Sequence, residues 1–157
     1  MIKVLFVCLG NICRSPMAEF ILKQMVSEKG LSDRFEIASA ATESYNELCH
    51  AGIYQNAKET LASMGVPFKE HYSRRIRRTD YDRFDYILAM DTKNISDILS
   101  IVGNDKNSKV KRLLDFTPHP RDIKDPWYTG NFTDSYWDIV EGCQSFLDYI
   151  AKNEPNA

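Results

Sequence analysis

No apolar run in the 157-residue chain approaches the roughly 20 residues that a helix needs to span a bilayer, so no membrane association is expected. Charge of one sign is missing too. The 20 Lys and Arg stand against 22 Asp and Glu, a net charge of −2, and nothing global draws the chain toward nucleic acid or an anionic surface. The basic stretch RRIRR, Arg74 to Arg78, has no interleaved aromatics, and reads as a solvated surface or a docking patch for acidic phosphopeptides. Cysteine is scarce: 4 residues are too few for a disulfide scaffold. The opening MIKVLFVCLGN has one lysine and then a strand-length apolar run, not a signal-peptide pattern, so the expected location is the cytoplasm with reduced thiols. In that setting a cysteine at a special position is chemical rather than structural. His50, His71 and His119 are scattered without metal-ligand spacing, and Cys8 and Cys13 lack a second pair, so no metal or other cofactor is expected. No G-x-x-x-x-G-K-[ST] occurs, which leaves nucleotide hydrolysis unsupported, and there is no internal repeat or low-complexity segment.

What is present is an ordinary globular composition, 43% apolar and 27% charged, sized for one domain over residues 1–157. Ile2 to Cys8 is a nearly continuous apolar run, as in a strand covered on both faces. Pro16 suits a first helical turn, Met17, Phe20, Ile21, Leu22 and Met25 follow at helical spacing, and Gly30 ends the helix. FEIASAAT from Phe35 reads as a second strand, and a helix is expected from about Ala51 to Met64, closed by Gly65 and Pro67. DYILAMD, Asp85 to Asp91, reads as a third strand leading into a helix through Ile95, Ile98, Leu99 and Val102. KVKRLLDF reads as a fourth strand ending at Phe116. Thr117 to Asn131 is expected to be a long loop, and Tyr136, Ile139, Val140, Phe146, Leu147 and Ile150 mark a C-terminal amphipathic helix. Alternating strands and helices predict a parallel sheet with helices on both faces. Ligands of such sheets bind beyond the carboxyl ends of the strands, where Cys8 and Asp91 both fall.

The turn CLGNICRS, Cys8 to Ser15, joins the first strand to the first helix. Such a span can curl until successive N–H groups point into one hollow, a nest for an anion to which the helix dipole adds. Gly10 supplies backbone freedom, and Asn11 tolerates a left-handed conformation while bonding the loop to itself. Arg14 offers a planar fork for two oxygens of a phosphate. A thiol at the base of that hollow, Cys8, sees the same positive field as the anion, which favours its thiolate, and Ser15 can donate to the sulfur. The chemistry implied is phosphoryl transfer to sulfur. That reaction also needs an acid for the leaving oxygen and a base for water. Among 22 acidic residues, Asp125 in DIKDPWYTGN is the most distinctive: Pro126 holds its backbone extended, and Trp127 and Tyr128 form an aromatic wall suited to an aromatic leaving group. On spacing alone, an Asp-Pro turn capped by aromatics fits this stretch equally well.

Together, VCLGNICRSPMAE, DPWY and FDYILAMD resemble the low-molecular-weight protein tyrosine phosphatase family over nearly the whole chain, from Lys3 to the C-terminal helix. The resemblance implies an α/β domain with three α/β/α layers, a four-stranded parallel sheet and the flavodoxin-like phosphotyrosine phosphatase I fold, working without metal. It implies that Cys8 is the nucleophile, that Arg14 binds phosphate and the transition state, and that Asp125 is the general acid and then the base. Leu9, Gly10, Asn11, Ile12, Cys13 and Ser15 match the phosphate-binding loop, with Ser39 and His71 supporting it. Tyr45, Trp127, Tyr128, Asp91 and Asn94 match the substrate pocket, and Cys13 the cysteine that can form a protective disulfide with the nucleophile. The implied partners are phosphotyrosine-containing proteins, with no nucleic acid or membrane, and the implied state is a monomer or weak dimer. Between Tyr45 and Leu61 the chain lacks the family's Asp-x-Arg pattern, which bears on substrate preference.

Relatives on the same fold set the alternatives. Arsenate reductases need a resolving cysteine pair after the third strand, and no cysteine lies between Cys49 and Cys143. Phosphoarginine phosphatases carry threonine where this chain has Ile12 and a narrower wall after Asp-Pro. A non-catalytic phosphate-binding module would lack the thiol or the acid, and here Cys8, Arg14 and Asp125 are all present.

Overall fold

The central strand β1, Ile2–Cys8, is buried at every position except the half-buried Lys3, as its unbroken apolar sequence requires. In this computed structural model, which describes residues 1–154, β2 (Phe35–Ala41) pairs with β1 on one side and β3 (Tyr86–Ala89) on the other, and β4 (Val110–Arg112) lies beyond β3. All pairs are parallel, and the order 2-1-3-4 is that of flavodoxin-like sheets. The last three residues of the expected 1–157 domain lie outside the described residues. The helices are α1 (Arg14–Glu28), α2 (Tyr45–Leu48), α3 (Gln55–Ser63), α4 (Asp80–Arg83), α5 (Thr92–Val102), α6 (Pro126–Thr129) and α7 (Phe132–Asn153). Among the described residues no helix is long and apolar enough to cross a membrane.

Alternation along β1 divides the core in two. Val4, Phe6 and Cys8 face a cluster with Met17 and Ile21 of α1, Leu61 of α3, and Ile139 and Phe146 of α7. Leu5 and Val7 face Tyr81 of α4, Phe84, and Ile98 and Val102 of α5. Full burial of a side chain such as Phe6 contributes roughly 1.5–3 kcal/mol. The helix α7 lies so close to the sheet end that a Cβ at Gly142 would come 2.5 Å from Leu113 Cγ, so only glycine fits there.

Local hydrogen bonds move several boundaries from where the pattern of apolar residues puts them. The helix expected from Ala51 begins at Gln55, because Gly52 is bridged to Tyr72 and the Tyr54 N–H is committed to Ile12 O at 2.9 Å. The fourth strand stops at Arg112, where Asp115 accepts from the Arg112 N–H (2.9 Å) and Nε (3.0 Å) and turns Leu113–Phe116 into a 3-10 helix. The long loop contains α6, started by the Asp125 carboxylate accepting from Trp127 N at 3.0 Å, with Pro126 at the first position. The RRIRR stretch is not a free basic patch. Arg75 bridges to Ala41 along the edge of β2, and Ile76 is buried. Arg74 grips Asp80 (3.0 and 3.1 Å), Arg75 Nε donates to Thr42 O (3.1 Å), and Arg77 pairs with Glu47 (3.2 Å).

Candidate active site

Between Cys8 and α1 the chain turns its carbonyls outward and bonds them there. Cys8 O accepts from Thr42 N (3.0 Å), Leu9 O from Glu43 N (3.1 Å), Ile12 O from Tyr54 N (2.9 Å) and Cys13 O from Met17 N (3.1 Å). Gly10 O accepts from Asn46 Nδ2 (3.0 Å) and Ser73 Oγ (2.9 Å). The amides of Ile12, Cys13, Arg14 and Ser15 have no acceptor among the described residues. A row of free N–H groups at a helix start is a nest for a tetrahedral anion.

Asn11 fixes the curl. It carries the left-handed backbone of the loop at φ 55°, while Gly10, expected there for conformational freedom, has no positive φ; a Cβ on it would come 2.7 Å from Asn46 Nδ2 and push aside the side chain that bonds Gly10 O. The fully buried Asn11 amide donates to Ser15 Oγ (2.7 Å) and Ser39 Oγ (3.0 Å), and its Oδ1 accepts from Arg74 N (3.2 Å). His71 Nε2 lies 3.2 Å from the same Oδ1 and 3.5 Å from Ser39 Oγ. Ser39 in turn donates to buried Glu19 at 2.6 Å, which Lys23 holds at 2.6 Å. Each of these buried polar groups has a partner, the condition under which such a network stiffens a loop rather than weakening it.

Cys8 Sγ sits at the base of this turn, 3.2 Å from Asn11 N and 3.0 Å from Ser15 Oγ. Because Ser15 Oγ already accepts from Asn11, its own proton is available to the sulfur, with Ala40 O the more distant alternative at 3.4 Å. The Arg14 side chain, 2% exposed, donates from Nη1 to Asp91 Oδ2 and to Ile123 O, both at 2.7 Å, and lies 3.4 Å from Asp125 Oδ2 through Nη2. Burial works against its charge, but Cys8, the bond to Asp91 and the Asp125 carboxylate outweigh that and push its pKa up. The second loop thiol, Cys13, is pushed up to about 12 by burial, Cys8 and Asp125, so it stays protonated at neutral pH.

These groups open into a cavity of about 260 Å³. Its floor is the loop from Cys8 to Arg14, with Asp125 on one side and Tyr45, Trp127 and Tyr128 around the mouth. Tyr54 stands edge-on to Trp127 at 4.9 Å and props that wall. Ser15, Ser39 and His71 lie behind the loop, in contact with it rather than with the cavity. Asp91 and Asn94, expected in the pocket, are not in its lining. They form a reciprocal cap at the start of α5 (2.8 and 3.2 Å), which aims the second Asp91 oxygen at Arg14.

The residue pattern gives no role to Glu43 and Asn46, which also line the cavity, or to Glu19 and Tyr54. Only Glu19 left a signal, as an acid beside the apolar stripe of α1 that ends up 6% exposed. Among the described residues, no group of three or more His, Cys, Asp or Glu is placed to hold a metal ion.

Residues 3–156 match the family model described as low molecular weight phosphotyrosine protein phosphatase. The chain is 40% identical to the low molecular weight protein-tyrosine-phosphatase YfkJ of Bacillus subtilis, over 98% of this chain and 99% of that protein. The crystal structure of YfkJ superposes with a TM-score of 0.91, covering 98% of this chain and 97% of that one. PtpA of Staphylococcus aureus, a low molecular weight protein-tyrosine-phosphatase, is 39% identical over 98% of this chain and 96% of its own. The structure of a Drosophila arginine phosphatase, DARP, is also similar, at 32% identity and a TM-score of 0.87, covering 98% of this chain and all of that one.

Proposed function

This chain belongs to the low molecular weight phosphotyrosine protein phosphatase family, and on that premise we propose that it hydrolyses phosphotyrosine in proteins, and small aryl phosphates, through a phosphocysteine on Cys8. The observation that carries the reading is the meeting of Cys8, Arg14 and Asp125 in one cavity with an aromatic mouth. The phosphate dianion binds the free loop amides and the Arg14 fork, and its phenyl ring lies between Tyr45, Trp127 and Tyr128. Cys8 attacks phosphorus as the thiolate. As the S–P bond forms and the P–O bond to tyrosine breaks, the Asp125 carboxyl passes its proton to the departing oxygen. The resulting carboxylate takes a proton from water, whose oxygen attacks phosphorus. Inorganic phosphate leaves and the Cys8 thiolate returns, stabilised by the Ser15 hydroxyl 3.0 Å away. Arg14, fixed by Asp91 and Ile123, meets the equatorial oxygens in both transition states.

Cys13 supplies a protective route. Peroxide converts Cys8 to the sulfenic acid, and the Cys13 thiol condenses with it to a disulfide and water, halting irreversible oxidation. The substrates are phosphotyrosine-bearing proteins of the cytoplasm, and the enzyme acts as one 1–157 domain, a monomer or weak dimer.

The test is a steady-state comparison of phosphotyrosine, phosphoserine and phosphoarginine peptides in chelator, with Cys8→Ser as control. The expected result is kcat/KM at least about tenfold higher for phosphotyrosine than for either competitor. Ile12 beside the phosphate and the broad wall of Trp127 and Tyr128 support that order. A preference for phosphoarginine, the chemistry suggested by the name of the similar Drosophila arginine phosphatase, would overturn it.

A further inference from the structure

The proposed reaction requires Arg14 and Asp125, 111 residues apart, to keep a fixed relation while charge moves between sulfur and the leaving oxygen. A closed ring of bonds outside the cavity supplies it. Arg14 Nη1 donates to Asp91 Oδ2 and to Ile123 O, both at 2.7 Å. The residue after Asp91, Thr92, gives its N–H (2.9 Å) and its hydroxyl (2.8 Å) to one oxygen of Asp122, the residue before Ile123. The path therefore returns to Arg14 through Asp91, Thr92, Asp122 and Ile123. Arg112 Nη1 adds a third donor to the same Asp122 oxygen at 3.0 Å, and the Ile123 N–H is held by Met90 O at 2.9 Å. Asp125 follows Asp122 by three residues on the segment so clamped.

Resting on the phosphatase reading, we infer that Asp122 is a positioning residue that holds the acid–base carboxylate of Asp125 in register with Arg14. Asp122 does not line the cavity, and its side chain is 48% exposed. An ion pair that open to water adds little to stability, so its consequence belongs to geometry. A small displacement of the proton donor is felt in proportion to how much the leaving oxygen needs the proton. A nitrophenolate departs almost unaided, whereas a phenolate without the nitro group depends on the acid.

The experiment measures kcat/KM for 4-nitrophenyl, phenyl and 4-methoxyphenyl phosphate in the wild-type chain and in Asp122→Ala, Asp122→Asn and Thr92→Val, alongside melting temperature. The expected result for Asp122→Ala is a loss on the phenyl ester about tenfold larger than on the nitrophenyl ester, with a steeper dependence on leaving-group basicity. Asp122→Asn, whose carbonyl oxygen still accepts from Thr92, falls between, and Thr92→Val, which removes one donor to Asp122 and the 3.3 Å contact from Arg112 Nη1, shows a smaller shift in the same direction. Equal losses on all three esters, as from a smaller folded fraction, would overturn the inference, and so would unchanged slopes in the variants. A wild-type chain inactive on every ester would overturn the phosphatase reading and this inference with it.

Discussion

Asn11 in the floor of the cavity and Ser15 just behind it expose no surface, whereas Tyr45, Trp127 and Tyr128 at the mouth are 68%, 55% and 77% exposed. The floor is a closed polar network in which Asn11 alone bonds Ser15, Ser39 and the Arg74 amide. The rim side chains lie open to solvent, Trp127 leaning on Tyr54 and Tyr45 set beside Cys49. A buried network with every partner present is costly to disturb, while exposed aromatics can be exchanged with little effect on the fold. On the proposed phosphatase reading, chemistry falls to the part held by this network and substrate choice to the part that can change.

The sharpest way to break that division is at the nucleophile. Cys8→Ser is expected to reduce turnover by more than about 10³-fold while oxyanion binding persists, read by steady-state rates and by vanadate or phosphate titration. Asn11→Ala comes next. It orphans buried groups on every side and places alanine at φ 55°, so we expect a loss of about 3 kcal/mol in urea unfolding together with most of the activity. At the rim, Trp127→Ala is expected to raise KM for phosphotyrosine peptides about three- to tenfold, with kcat within about twofold and unchanged unfolding. A large fall in kcat there would erase the distinction between floor and rim.

A further effect concerns the floor at high pH. Cys13 ionises near 9.0 when free and at about 12 in the folded chain. Below pH 9 both states keep the proton. Above it only the unfolded state loses it, so the stability owed to this thiol is lost as pH rises from 9 toward 12. Unfolding free energies of the wild type minus Cys13→Ala should therefore fall by about 1.4 kcal/mol per pH unit in that window. A flat difference would show that the thiol is not held protonated.

The same division governs what the sequence reveals. The floor lies in eight consecutive residues between an apolar strand and a helix, so its anion-binding character is legible from CLGNICRS alone. Strand and helix alternation likewise yields the three layers. The rim comes from Tyr45 and from the Trp127 segment, brought together only by the 2-1-3-4 sheet order, and nothing local marks Glu43 or Asn46 as its neighbours. Asp91 shows a related difficulty. Its place at a strand end is readable, but the Asn94 cap that turns its oxygen onto Arg14 is a matter of three-dimensional aim. The early stop of β4 depends on a single side chain, Asp115, reaching back to Arg112, which apolar spacing does not encode.

All of this depends on sulfur chemistry at the eighth residue. The most direct measurement is rapid acid quenching during turnover of a ³²P-labelled aryl phosphate, followed by digestion and mass mapping of the labelled peptide. The account predicts stoichiometric thiophosphate on Cys8 that is absent in Cys8→Ser. Label on any other side chain, or turnover with no covalent label under conditions that preserve phosphocysteine, would contradict it.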